Sequence, residues 1–124
     1  MQNFKYPTEE KLKKKNEITA LFDKGKWSTQ GNLRIITLKD KPTFPIEGNR
    51  FGVSVSKRYF KKAVYRNRVK RLLRECYRLN KDLYKTSFGE NCISMLFWVS
   101  PKLPEKYQDV EKEFIKLCLS QKKS

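Results

Sequence analysis

Between Lys57 and Arg74 the chain carries nine lysines or arginines and no acidic residue: Lys57, Arg58, Lys61, Lys62, Arg66, Arg68, Lys70, Arg71 and Arg74. Groups of this type bind phosphate, guanidinium as a bidentate fork and ammonium as a point charge. Helical spacing over 66–80 puts Val69, Leu72, Leu73, Cys76 and Tyr77 on one stripe and Asn67, Lys70, Arg71, Arg74, Arg78 and Lys81 opposite it. One face packs and the other is a cationic ridge. Cations in the first turn oppose the helix dipole at a cost of about 0.3–1 kcal/mol each at low salt. A helix built for stability alone would carry Asp or Glu there. Backbone N–H groups together with Arg66, Arg68 and Lys70 make a phosphate site instead. A merely solvated face is the competing reading, but such faces usually intersperse acids with bases.

Other chemistries lack their residues. The 124-residue chain has no His, which removes the usual general base, proton shuttle and commonest zinc ligand. Its three cysteines, Cys76, Cys92 and Cys118, form no C-x-x-C pair and fall on apolar stripes, so free buried thiols and no metal site are expected. Catalysis by this chain alone is therefore not expected. Lys+Arg 29 against Asp+Glu 13 leaves a formal charge of +16, which a polyanion would relieve. No run is long and apolar enough to span a bilayer and no signal-peptide core is evident, so an intracellular, cytoplasmic single domain over 1–124 is expected. Its polar ends, 1–11 and 121–124, are expected to be flexible.

The elements that position the cations can be read from periodicity. Asn16-Glu17 reads as a helix start, Ile18, Leu21 and Phe22 as its apolar positions and Gly25 as its stop, giving a helix over 16–24. Leu33 to Leu38 reads as a strand, 39–49 as a loop, and Arg50 to Lys57 as an alternating strand with Phe51, Val53 and Val55 on one face. Residues 92–99 are nearly all apolar and suit a central strand covered on both sides. Tyr107, Val110, Phe114, Leu117 and Cys118 mark a last helix. The order α-β-β-α-β-α is that of an α+β domain, a two-layer α/β sandwich with a βαβ crossover from strand 50–57 to strand 92–99. Gly52, Ser54 and Ser56 leave the second face of their strand open, and Ile18, Phe22 and Ile36 could wall a groove there. An apolar groove beside a basic rim suits single-stranded nucleic acid. By periodicity alone, Ile18, Leu21 and Phe22 equally suit a core.

The stretch Arg50-Phe-Gly-Val-Ser-Val-Ser-Lys57, followed by Ala63-Val-Tyr-Arg-Asn-Arg-Val-Lys-Arg-Leu-Leu-Arg-Glu75, resembles the protein subunit of bacterial ribonuclease P. The likeness extends over about residues 10–120. It implies a ribosomal-protein-S5-domain-2-like fold with a left-handed crossover. It also implies a ribonucleoprotein endonuclease that removes the 5′ leader of precursor tRNA, with the catalysis performed by the RNA subunit and Mg²⁺ held mainly by that RNA. On the resemblance, Lys61, Lys62, Arg66, Asn67, Arg68, Lys70, Arg71 and Arg74 meet the catalytic RNA. Ile18, Phe22, Arg34, Ile36, Ser54, Ser56, Lys57 and Arg58 hold the single-stranded leader. Ile18 and Ile36 stand where relatives often carry aromatic residues, which leaves Phe22 as the clearest stacking candidate. The expected partners are the ribonuclease P RNA and precursor tRNA, with no DNA and no membrane. A ribosomal RNA-binding protein and a DNA-binding regulator are the competing classes, the second disfavoured by the strand that feeds the basic helix.

Overall fold

Alternation and helical periodicity find most of the elements, and two more complete the sheet and the helix layer. The computed structural model describes residues 8–121. A 3-10 turn at Thr8–Glu10 precedes α1 (Lys15–Lys24), β1 (Lys26–Gln30), β2 (Leu33–Lys39) and β3 (Arg50–Val55). Next come α2 (Ala63–Leu79), α3 (Lys81–Phe88), β4 (Cys92–Trp98) and α4 (Tyr107–Gln121). The sheet runs β1-β2-β4-β3, with β3 parallel to β4 and the other pairs antiparallel. β4 is thus central, and β3 to β4 is the parallel crossover expected.

The order differs from expectation at β1 and α3. β1 is half of a hairpin closed by Gly31-Asn32, with Gln30 opposite Leu33 and Gly31 at φ +57. A two-residue Gly-Asn loop is a hairpin signal, but the polar strand before it hides the pattern. α3 begins where Asn80 ends α2, its side-chain amide donating to the Cys76 carbonyl at 2.9 Å. Its inward positions are Lys81, Tyr84 and Phe88, a helical period concealed by a lysine. α1 starts a residue early, with Lys14 at its cap and Asn16 inside the helix. α2 starts three residues early, at Ala63.

The sheet has an apolar cluster on each face. Phe51 and Val55 of β3, Leu33 and Ile35 of β2 and Leu96 of β4 meet α2, α3 and α4 on one side. Phe51 stacks on Tyr77 with centroids 4.2 Å apart, and Tyr84 meets both rings edge-on. On the other side α1 lays Leu21 over Ile36, Leu38 and Ile93. Gly25 ends α1 because of space: a Cβ there would lie 2.5 Å from the Leu21 carbonyl oxygen and 2.7 Å from Ile36. Within the N-terminal segment, Glu10 and Lys11 are bonded to α2, α3 and β3. At the C-terminus, Gln121 closes α4 and bonds Ser28. Residues 1–7 and 122–124 lie outside the described residues.

Candidate nucleic-acid interface

The strand register sorts the α1 side of the sheet into rows. Trp27, Ile36, Met95 and Gly52 form one row, and Thr29, Arg34, Phe97 and Ser54 form the next. α1 covers the first row at Ile36, which is fully buried. Ile36 therefore belongs to the core and cannot wall an open groove. Gly52 is also closed off, because Leu12 packs over it with its Cβ 3.2 Å from where a glycine Cβ would sit. The open surface begins one row further on, at Arg34, Phe97 and Ser54.

An aromatic cluster stands at this opening. Phe22 from α1, Trp27 from β1 and Phe97 from β4 pack with centroids 5.5 to 6.2 Å apart. Phe22 and Trp27 keep 46% and 41% of their surface exposed. The Arg34 guanidinium lies 4.0 Å from the Trp27 ring centroid. Rings with free faces beside a cation can take nucleobases and their phosphates. Ile18 is half-buried one turn before Phe22. Trp27 and Phe97 were missed from sequence, Trp27 for want of β1 and Phe97 because it sits in a run that reads as wholly buried. The Gly31-Asn32 turn was the available signal for Trp27.

Past Ser54 the rim turns cationic. Ser56, Lys57 and Arg58 are exposed, and the Ser56 hydroxyl accepts the Arg58 backbone N–H at 3.1 Å. Four residues later Lys62 caps α2 with no side-chain hydrogen bond and no acid in the first turn. Lys61, Lys62, Asn67, Arg68, Arg71 and Arg74 are exposed, and Lys70 is half-buried. Asn67, Arg68, Arg71 and Arg74 line a groove of about 700 Å³ whose other wall includes Lys11.

Two arginines of α2 are turned to internal partners. Arg66 donates through Nη1 to the carbonyls of Phe60 and Lys61 at 2.9 and 2.7 Å, clasping the loop to its own helix. Arg78 pairs with Glu75, Nη2 to Oε2 at 2.7 Å, and that hydrogen bond holds the Glu75 carboxyl below the usual carboxylate range. The three cysteines are buried thiols. Among the described residues no three His, Cys, Asp or Glu side chains are grouped to hold a metal ion, and no helix is long and apolar enough to cross a membrane.

The family model for Ribonuclease P matches residues 6–121. The chain is 38% identical over 106 residues to the ribonuclease P protein component of Porphyromonas gingivalis strain W83, covering 83% of this chain and 76% of that one. It is 34% identical over 113 residues to the component from Alkaliphilus metalliredigens, covering 90% and 93%. In structure it is similar to the RNase P protein of Staphylococcus aureus, at TM-score 0.72 and 20% identity over 91% of this chain and 95% of that one. The protein from Thermotoga maritima superposes at TM-score 0.71 with 19% identity, over 88% and 94%.

Proposed function

The chain belongs to the ribonuclease P protein family, the protein component of an endoribonuclease complex of tRNA processing, and from that premise we propose that it is the substrate-positioning, non-catalytic subunit. Its partner in the complex is RNA. In this reading the α2 groove binds the RNA subunit through Arg68, Arg71 and Arg74, with Asn67, Lys70, Lys61 and Lys62 beside it. The Phe22–Trp27–Phe97 platform, with Arg34, Ser54, Ser56, Lys57 and Arg58 along its rim, holds the single-stranded 5′ leader of precursor tRNA. Both act in the bacterial cytoplasm.

The observation that carries the reading is the exposed aromatic platform under Arg34, in the same sheet row as Ser54 of β3, the strand that leads into the acid-free start of α2. Bases stack on any ring face, so the platform accepts leaders of varied sequence, while cations neutralise the backbone. Leader contacts are lost with the leader, so they favour precursor over product. Mg²⁺, when bound by the RNA, would supply Lewis-acid activation of water for the hydrolysis. The protein's own residues neutralise phosphate and orient the strand, a contribution by positioning that a chain without histidine can make.

The test is reconstitution with the RNA subunit and precursor tRNA. The expected result is cleavage at Mg²⁺ concentrations where the RNA alone is slow, with no cleavage by the protein alone. Robust protein-only cleavage would overturn the proposal.

A further inference from the structure

The chain ahead of α1 is attached at three consecutive residues. The Glu10 carboxylate accepts the Tyr77 hydroxyl at 2.6 Å and the Lys81 ammonium at 2.8 Å. Lys81 is only 8% exposed, so this carboxylate neutralises a buried charge that would otherwise be costly. Lys11 bridges Phe51 in the parallel sense along the outer edge of β3. The Leu12 N–H donates to the Phe51 carbonyl at 3.2 Å, and its side chain packs over Gly52. Held on both sides, Lys11 lines the same groove as Arg68, Arg71 and Arg74, together with the paired Glu75 and Arg78.

We infer that residues 8–12 form a strap that is the second wall of the α2 groove, in which Lys11 contacts an RNA backbone phosphate and Glu10 is the positioning residue that holds it there. The inference rests on the assignment of that groove to the RNA subunit. An acidic residue beside a polyanion site normally weakens binding. Glu10 escapes that rule because both its oxygens are bonded to the helix layer and its charge is matched by Lys81. The sign of its removal is therefore diagnostic. A through-space effect would tighten RNA binding when the negative charge is lost, whereas loss of positioning would weaken it.

The experiment is the salt dependence of RNA-subunit affinity for the full chain. Lys11→Gln, Glu10→Gln, their combination and Arg68→Ala/Arg71→Ala are compared with the unmodified protein. Lys11→Gln should lower the slope of log affinity against log salt by about one unit or less. Glu10→Gln should weaken binding and lower the slope similarly, and the combination should be no worse than Lys11→Gln alone, as expected of coupled residues. If the unpaired Lys81 impairs folding of Glu10→Gln, Glu10→Gln/Lys81→Met removes both charges and carries the same expectation. Tighter binding by the Glu10 variants, or unchanged slopes in them and in Lys11→Gln while Arg68→Ala/Arg71→Ala flattens, overturns the strap and leaves the groove assignment standing. An unchanged slope for Arg68→Ala/Arg71→Ala overturns the groove assignment itself, and the strap with it.

Discussion

Arg34 on β2 sits diagonally across the hairpin from Trp27 on β1, its guanidinium 4.0 Å from the ring centroid. The strand register puts Trp27 opposite Ile36 and Arg34 opposite Thr29, so the pair meets on one sheet face at the diagonal distance that long side chains can span. The contact fixes one side of the indole while 41% of the residue stays exposed. A cation and an aromatic face are thereby presented together at the mouth of the open row.

Trp27→Ala and Phe22→Ala should each weaken binding of precursor tRNA by about 1–3 kcal/mol, the range for loss of one stacked base, and leave mature tRNA nearly unaffected. Ile36→Ala is the contrast. It should cost about 2–5 kcal/mol of stability as a buried truncation, with the precursor-to-mature ratio unchanged. Holoenzyme affinities for the two RNAs, with a denaturant titration of each variant, check this. Equal losses for both RNAs in Trp27→Ala would remove the platform from leader binding.

The arginines of α2 should separate into two behaviours. Arg68→Ala/Arg71→Ala should flatten the salt dependence of RNA-subunit binding by about one unit or less per lost phosphate contact, with little change in Tm. Arg66→Ala should instead destabilise the fold by about 1–2 kcal/mol, because it removes two charge-assisted hydrogen bonds to the loop. Thermal melts beside salt titrations distinguish them.

Gly25→Ala should destabilise the protein by about 1–3 kcal/mol, the usual cost of overpacking. The added methyl would press on the Leu21 carbonyl and on Ile36, so α1 must lift from the sheet or shift its end. Because α1 carries Phe22, the variant should also lose part of its preference for precursor tRNA. Equilibrium unfolding and the same two-substrate comparison measure both effects.

Burial pushes the Cys76 thiol up to about 12, a hydrogen bond with Tyr107 offsetting part of the rise. An unfolded cysteine titrates near pH 8.5, so between about 8.5 and 12 the folded state keeps a proton that the unfolded chain has lost. This contribution to stability is full below that window and declines as pH rises through it. Cys76→Ala should flatten the decline, as measured by denaturant midpoints from pH 8 to 11. An equally steep decline in the variant would assign the alkaline loss to other groups.

Periodicity was sufficient where an element's pattern is set by one dominant contact. α2 buries Val69, Leu73, Cys76 and Tyr77, and α4 buries Val110, Phe114, Leu117 and Cys118, as their spacing requires. β3 likewise turns Phe51 and Val55 to the helix layer. Periodicity failed at β1 and α3, where polar residues occupy positions that a hydrophobic count needs. It also failed at Glu10 and Lys11, because polar side chains at a chain end carry no local sign of the distant partners that hold them.

The chain's composition by itself determined that a cationic, histidine-free domain would offer phosphate-binding groups on one face of a helix, because charge and helical period are local properties. Its Arg-Asn-Arg segment and the strand before it were enough to bring out the family likeness. Tertiary structure decided which of those groups are available. Ile36 and Gly52 alternate correctly for an open face, yet α1 and Leu12 cover them. Arg66 lies within the cationic run, yet it is turned onto backbone carbonyls. Trp27 and Phe97 lie seventy residues apart and become one surface only when β1 and β4 flank β2. The spacing along a strand or helix tells which way a side chain points, but what lies in that direction depends on residues far away in the chain.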